Sequence, residues 1–242
     1  MPKPRNIALL GSRRCGPDMM APVALGFRAI RGGSVVVGVA MDGRAPRLVL
    51  SKFLATAEEG DRISFEPYHV AAEKARGGKV TAQAVAAVAE GRKRQDRLAA
   101  KELDLIVRRL GEEKCNVVVA ALLVNRAGWI TDLLEHSLSA PEHPPVAEGL
   151  AVRDALRFAF KQCRVKAVEM DEKTLPQIAA RALRLTEAAL ALRLKEMGAA
   201  AGKPWRKEQK QACLAAWLAI ASLRSKRPRP VTKDSGFPLS RE

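Results

Sequence analysis

Three carboxylates, those of Asp42, Glu148 and Glu169, are the residues of this sequence from which a metal site would be built. Each stands near the predicted end of a strand or helix, where side chains from separate elements can converge. Carboxylate oxygens are the ligands that Mg²⁺ and Mn²⁺ prefer in proteins. These acids are therefore the candidate catalytic and metal-binding positions, although the pattern does not specify which of them would hold the metal.

Each of the three acids also has a purely structural interpretation. Asp42 precedes Gly43, and an Asp-Gly pair is the usual chemistry of a tight hairpin turn. Glu148 falls in the first turn of a predicted helix, where an acid complements the helix dipole. Glu169 belongs to an acidic group after a predicted strand, where acids often cap the next helix. The sequence leaves both interpretations open.

A basic segment near the C-terminus provides candidate phosphate contacts. Its sequence, from Lys203 to Lys210, is Lys-Pro-Trp-Arg-Lys-Glu-Gln-Lys, at a predicted helix start. Free backbone N–H groups and the dipole favour a phosphate there, and an indole ring can stack on a base. The candidate nucleic-acid contacts are Lys203, Trp205, Arg206, Lys207 and Lys210. In the alternative interpretation, Trp205 anchors the joint in the core and the cations only keep it solvated.

A hairpin is the clearest structural signal among the elements that must position these residues. Two β-branched, apolar runs, Ser34 to Met41 and Arg47 to Ala57, meet at Asp42-Gly43. Asn116 to Val124 is a second fully apolar run, which predicts a buried central strand beside Ser34 to Met41. The alternation in Arg62 to Glu66 predicts a third strand, and Val165 to Glu169 predicts a fifth.

Helices are predicted between and after these strands. Helix-forming residues dominate from Tyr68 to Leu110, with breaks at Gly77-Gly78 and near Gly91. The further predicted helices are a short one within 128–140, then Val146 to Gln162, Thr174 to about Met197, and Lys207 to Leu223. Alternating strands and helices of this kind predict an α/β fold with one mixed sheet.

The formal net charge of +16 over 242 residues exceeds what solubility needs. Such a surface attracts polyanions, so the charge favours nucleic acid as the partner. A basic composition can also arise without any such partner, and that alternative stays open.

Four cysteines are isolated and widely spaced, which predicts reduced thiols, no structural zinc site and a cytoplasmic location. The sequence contains no run of eighteen apolar residues, so it predicts no membrane-spanning helix. The sequence also lacks a Gly-x-Ser-x-Gly elbow, a Walker loop and a Gly-x-Gly-x-x-Gly fingerprint.

This order of elements resembles the ribonuclease H-like fold, and the last quarter of the chain is similar to Holliday-junction resolvases of the RuvC type. The similarity lies in a fifth strand, Val165 to Glu169, followed by a helix start within Gly202 to Lys210 and an Ala-rich closing helix from Ala212 to Ala221. It implies a nuclease that uses Mg²⁺ or Mn²⁺, with DNA rather than RNA as its substrate.

The carboxylates that the resemblance requires are not in the expected places. The closing helix has no aspartate, Val37 to Ala40 has no acid, and Leu122 to Val124 ends without a glutamate. Two-metal hydrolysis needs several carboxylates around ions about 4 Å apart. We therefore expect a degenerate relative that binds nucleic acid, or a nuclease whose acids are relocated to Asp42, Glu148 and Glu169. A non-catalytic scaffold for a protein partner, with incidental charge, is the alternative.

Three segments follow from this interpretation. Residues 34–223 are predicted to form one ribonuclease H-like domain. Residues 1–33, which are basic and contain four prolines, are predicted to be a poorly ordered extension. Residues 224–242, rich in Pro, Lys and Arg, are predicted to be a disordered basic tail.

Overall fold

The computed structural model describes residues 20–75, 78–125 and 129–225. Its centre is a five-stranded mixed sheet with helices on both faces, which confirms the predicted fold class. The strands are β1 (Ala21–Ile30), β2 (Gly33–Asp42), β3 (Ala45–Ala55), β4 (Cys115–Val124) and β5 (Ala167–Asp171). Their spatial order is β3-β2-β1-β4-β5, with β1, β2 and β3 antiparallel and with β4 and β5 parallel to β1.

The hairpin and the two later strands confirm the sequence analysis. β2 and β3 meet at Gly43, whose φ of 58° is the conformation that such a turn needs. β4 is buried along most of its length, as its apolar run predicts. β5 begins two residues later than predicted, because Val165 and Lys166 precede the strand.

The central strand of the sheet was missed by the sequence analysis. β1 lies between β2 and β4, so the prediction of a poorly ordered extension is wrong for Ala21–Ile30. Its apolar pattern is interrupted at Pro22, Gly26 and Arg28, so the sequence pattern does not indicate a strand there. β4 accordingly pairs with β1, and not with Ser34 to Met41 as predicted. The rest of the predicted extension, residues 1–19, lies outside the described residues.

Eight helices complete the described part of the chain. They are α1 (Arg62–Phe65), α2 (Pro67–Lys74), α3 (Ala82–Glu112), α4 (Leu133–Ser139), α5 (Pro144–Gln162), α6 (Leu175–Leu183), α7 (Glu187–Ala201) and α8 (Lys207–Ser225). No helix among the described residues combines the length and apolar character that crossing a membrane requires. Of the predicted tail, Arg224 and Ser225 complete α8, and 226–242 lie outside the described residues.

Three local predictions were wrong. The predicted strand from Arg62 to Glu66 is helix α1, because a five-residue alternation is too short to separate the two periods. α3 continues through Gly91, where a side chain would meet the carbonyl oxygen of Ile63 at 2.4 Å. The predicted long helix after Thr174 is divided at Arg184, whose φ is 55°, and the Thr186 side chain caps α7.

The two faces of the sheet carry separate cores. α8 packs against β1, β2 and β4 with small side chains, and a Cβ on Gly26 would lie 1.9 Å from the Ala212 carbonyl oxygen. α3 and α5 cover the other face, where Leu103 of α3 and Phe160 of α5 pack in one core with Phe27 of β1. α8 can therefore lie directly on β1 only because residue 26 has no side chain.

Candidate functional site

The C-terminal ends of the parallel strands β1, β4 and β5 lie together, and we call this end of the sheet the carboxyl edge. The register pairs Phe27 of β1 with Leu122 of β4, and Leu122 with Glu169 of β5. α8 also begins at this edge, because Ala212 packs on Gly26 while Gln211 contacts Arg28. In mixed α/β sheets, functional side chains concentrate where parallel strands end.

An arginine lies at the end of β1 on the α8 face. An Nη atom of Arg28 is 2.8 Å from a carboxylate oxygen of Glu172, and its Nε donates to Gln211 at 3.2 Å. The amide of Gln211 donates to the same Glu172 oxygen at 3.2 Å. We call Arg28, Glu172 and Gln211 the Arg28 cluster. The three side chains are therefore each other's ion-pair and hydrogen-bond partners.

This donor set does not fit a divalent metal. Mg²⁺ and Mn²⁺ need several oxygen ligands, of which carboxylates are the strongest. Glu172 is paired with Arg28, and a carboxylate oxygen of Asp171 accepts the backbone N–H groups of Lys173 and Thr174. Across residues 20–75, 78–125 and 129–225, no three His, Cys, Asp or Glu side chains are grouped to hold a metal.

The three candidate acids lie in three different environments. Asp42 ends β2, which is antiparallel to β1, so it lies at the opposite edge of the sheet from Glu169. Glu169 is exposed at the carboxyl edge and accepts from Nε of Arg157 at 2.7 Å. Glu148 lies inside the protein, where α5 meets α2. The structure therefore does not bring the three acids together.

Glu148 stabilises the start of a neighbouring helix. Its side chain is 3% exposed, and its Oε1 accepts the backbone N–H groups of Tyr68 and His69 at 2.8 and 3.1 Å. These groups belong to the first turn of α2, which has no side-chain cap of its own. Burial raises the pKa of Glu148 to about 7, and the two backbone N–H groups oppose that shift. These contacts support the structural interpretation of this acid.

The basic segment before α8 divides into two kinds of residue. Lys203, Arg206, Lys207 and Lys210 are exposed around the first turn of α8. Trp205 instead packs against Gly198 of α7, and its indole N–H donates to the Leu194 carbonyl at 2.9 Å. The geometry thus favours an anchoring role for Trp205, whereas the four cations remain available to a phosphate at the carboxyl edge.

A cavity of about 550 Å³ opens at the carboxyl edge, between the end of β4 and helices α3, α4 and α5. Three arginines line it, one from α3 and two from α5: Arg92, Arg153 and Arg157. Arg92 and Arg157 share Asp154, each at 2.8 Å. The sequence analysis missed this cluster, because an arginine on an amphipathic helix is expected to face solvent.

No family model matches this chain, and no curated protein matches it. Three solved structures of resolvases are similar to it at low identity. The Thermus thermophilus RuvC structure is 11% identical, covers 84% of this chain and 96% of its own, and has a TM-score of 0.46. T. thermophilus RuvC in complex with Holliday junction substrate is also 11% identical, with 84% and 95% coverage and a TM-score of 0.47. The yeast mitochondrial Holliday junction resolvase Ydc2 is 13% identical, with 86% and 80% coverage and a TM-score of 0.40.

A mixed five-stranded sheet flanked by helices is the architecture that the sequence resemblance implies, and its antiparallel β1-β2-β3 unit is joined through β1 to the parallel strands β4 and β5. Helices lie on both faces of this sheet, and α8 closes the fold over β1. The chain therefore has a ribonuclease H-like fold.

Proposed function

We propose that this protein is a cytoplasmic nucleic-acid-binding protein that prefers DNA and binds without cleaving the strand. The observation that carries the proposal is Arg28. A guanidinium, already paired with Glu172 and Gln211, lies at the end of the central strand, where hydrolysis would need a group of metal-binding carboxylates.

Exposed cations beside this cluster supply the attraction to phosphate. Arg206, Lys207 and Lys210 stand around the start of α8, where the helix dipole also favours an anion. The chain as a whole carries a formal charge of +16. Contacts of this kind bind the backbone of a strand without reading its sequence.

Fluorescence anisotropy with labelled duplex DNA, a four-way DNA junction and an RNA duplex tests binding. We expect affinity for DNA to fall steeply between 50 and 200 mM salt, because each phosphate contact releases counterions. A double variant, Lys207→Ala with Lys210→Ala, should bind more weakly and lower the magnitude of the salt slope by about two.

A matched control removes two charges at the other edge of the sheet. Lys161 and Lys166 are exposed beside the start of β5, and Lys161→Ala with Lys166→Ala should change the salt slope much less. Equal effects of the two pairs would mean that binding is not centred on the carboxyl edge. If the wild-type protein binds none of the three nucleic acids at 50 mM salt, the scaffold interpretation replaces this proposal.

Incubation with Mg²⁺ or Mn²⁺ tests the second half of the proposal. We expect the duplex and the junction to remain uncut at protein concentrations that saturate binding. Cleavage that is lost in Glu148→Gln or Glu169→Gln would instead identify a nuclease with relocated acids. Cleavage that survives both substitutions would exclude these two acids and the non-catalytic proposal together.

A further inference from the structure

Arg153 is a buried cation that forms no direct ion pair with an acid among the described residues, although the charges of Glu172 and Asp154 act on it from farther away. It is 6% exposed and lies in the middle of α5. Its Nε and Nη1 point to the backbone carbonyls of Leu123 and Gly149, at the long distances of 3.4 and 3.3 Å. Its Nη2 is not among the fully buried, unpartnered atoms of the described residues, so this end of the guanidinium is open to the cavity. Removing a guanidinium from water without a direct counter-charge is costly, and a bound anion would offset that cost.

The acids nearest to Arg153 are already engaged. Asp154 holds Arg92 and Arg157, while Asp132 accepts the backbone N–H groups of Leu134 and Glu135 at the start of α4. Glu172 is paired with Arg28. The cavity is therefore lined by three arginines and two occupied aspartates, and an anion is the group that would complete it.

Part of the remaining wall of the cavity is apolar, and Asn125 and Thr131 add polar groups beside it. Its apolar lining includes Val88, Ile130, Leu133, Leu134 and Leu150. A volume of about 550 Å³ is within the range of small-ligand sites, and an apolar wall opposite a few polar groups is their usual lining. A ligand with an aromatic, weakly polar part and an oxyanion would match both sides.

We propose that this cavity binds one unstacked nucleotide, with its phosphate on Arg153 and its base against the apolar wall. The planar guanidinium donates two parallel hydrogen bonds to a phosphate, which gives this contact its geometry. The exposed Trp129 ring, directly before Ile130 in the chain, is available to stack on a neighbouring base. The inference rests on the proposed function only in assigning the nucleotide to a nucleic-acid strand.

Calorimetric titration of the full chain with 5′-dAMP, deoxyadenosine and inorganic phosphate tests the ligand class. We expect 5′-dAMP to bind most tightly, because it alone supplies both halves of the match. Arg153→Met should weaken 5′-dAMP binding about 10- to 100-fold. Arg108→Met is the matched control, because Arg108 is exposed and paired with Asp104 near the other end of α3, and it should leave binding unchanged.

A duplex with one unpaired nucleotide tests the source of the ligand. We expect the wild-type protein to prefer it over a fully paired duplex by about tenfold, because the unpaired base is already free to enter the cavity. Arg153→Met should lose this preference and should keep its affinity for the paired duplex to the same extent as Arg108→Met.

Each failure has a separate signature. If 5′-dAMP does not bind, or binds Arg153→Met as well as wild type, the cavity proposal is wrong, whatever happens with paired DNA. If 5′-dAMP binds through Arg153 but no nucleic acid binds at 50 mM salt, the proposed function is wrong and the ligand is a free nucleotide. If paired DNA binds and the unpaired nucleotide gives no preference, the assignment of the nucleotide to a strand is wrong.

Discussion

Two arginines at the carboxyl edge lie on opposite faces of the sheet and have opposite surroundings. Arg28, on the α8 face, is half-buried and pairs with Glu172 and Gln211. Arg153, on the α5 face, is more deeply buried, and within the described ranges its hydrogen-bond acceptors are two distant backbone carbonyls.

The difference separates a charge that serves the fold from one that serves a ligand. A paired cation stabilises the elements that it joins, here the end of β1, the segment after β5 and the start of α8. An unpaired buried cation lowers the stability of the folded chain. Proteins tolerate such a loss mainly where activity requires it.

The largest expected effect comes from disturbing the packing that brings α8 to the Arg28 cluster. A methyl group on Gly26 would lie 1.9 Å from the Ala212 carbonyl oxygen, so Gly26→Ala must push α8 away from β1. We expect the free energy of unfolding, measured in urea, to fall by about 3 kcal/mol or more.

Gly111→Ala is the matched control for this substitution. Gly111 lies in α3, on the other face of the sheet, and a Cβ there would meet nothing within 4 Å. The helix should gain up to about 1 kcal/mol from the replacement. If the two variants have the same stability, the contact of α8 with β1 does not hold the Arg28 cluster in place.

The second effect concerns Glu148, which is buried on the same helix as Arg153 but can lose its charge by taking up a proton. Burial raises the pKa of Glu148 to about 7 from an ordinary value of 4.5. The folded chain therefore holds this proton more tightly than the unfolded chain. Its stabilising contribution, about 3 kcal/mol, is complete below about pH 4.5 and is lost as the pH rises through 7.

Urea unfolding of wild type and Glu148→Gln between pH 5 and 8 measures this contribution. The amide keeps an acceptor for the N–H groups of Tyr68 and His69 but does not titrate, so the variant should lose most of the pH dependence. The nearby charges of Glu66 and Arg31 are present in both proteins. The His69 ring lies 3.3 Å from the Glu148 carboxylate, so both proteins are also measured in a His69→Gln background. Equal slopes for the two proteins would show that Glu148 is ionised in the fold throughout this range.

Much of the sheet was predictable, because short sequence patterns indicate most of its strands. Asp42-Gly43 gives the hairpin, and the fully apolar run ending at Val124 gives a central strand. β1 was not predictable in the same way. Its Gly26 is required by a helix almost 190 residues later, and its Arg28 by a carboxylate after β5. Such long-range requirements leave no local pattern.

The candidate site was less predictable than the fold. The cations before α8 could be found from their spacing, and their role stays a prediction. Arg153 could not, because the Arg-Asp pair in the middle of α5 looks like part of a solvated helix face. Which arginine is buried and which acid is already occupied depends on how α3, α4 and α5 pack, and sequence periodicity does not report that.

The third effect breaks the pair on the α8 face. Arg28→Met leaves the carboxylate of Glu172 without its cation, in a half-buried position where Gln211 is the remaining member of the Arg28 cluster that donates to it. We expect the free energy of unfolding to fall by about 2 kcal/mol. Urea denaturation measures the change. A variant as stable as wild type would mean that the partners of Arg28 stabilise the fold no more than those of Arg153 do.

The same substitution on the α5 face should have the smallest effect and the opposite sign. Arg153→Met removes a cation whose pKa is lowered by burial, and it sacrifices only two long contacts to carbonyl oxygens. Methionine fills a similar space without a charge to desolvate, so the free energy of unfolding should rise by up to about 1 kcal/mol. Urea denaturation of Arg28→Met and Arg153→Met side by side is the direct measurement. If Arg153→Met loses as much stability as Arg28→Met, the unpaired arginine is part of the fold, and the contrast between the two faces disappears.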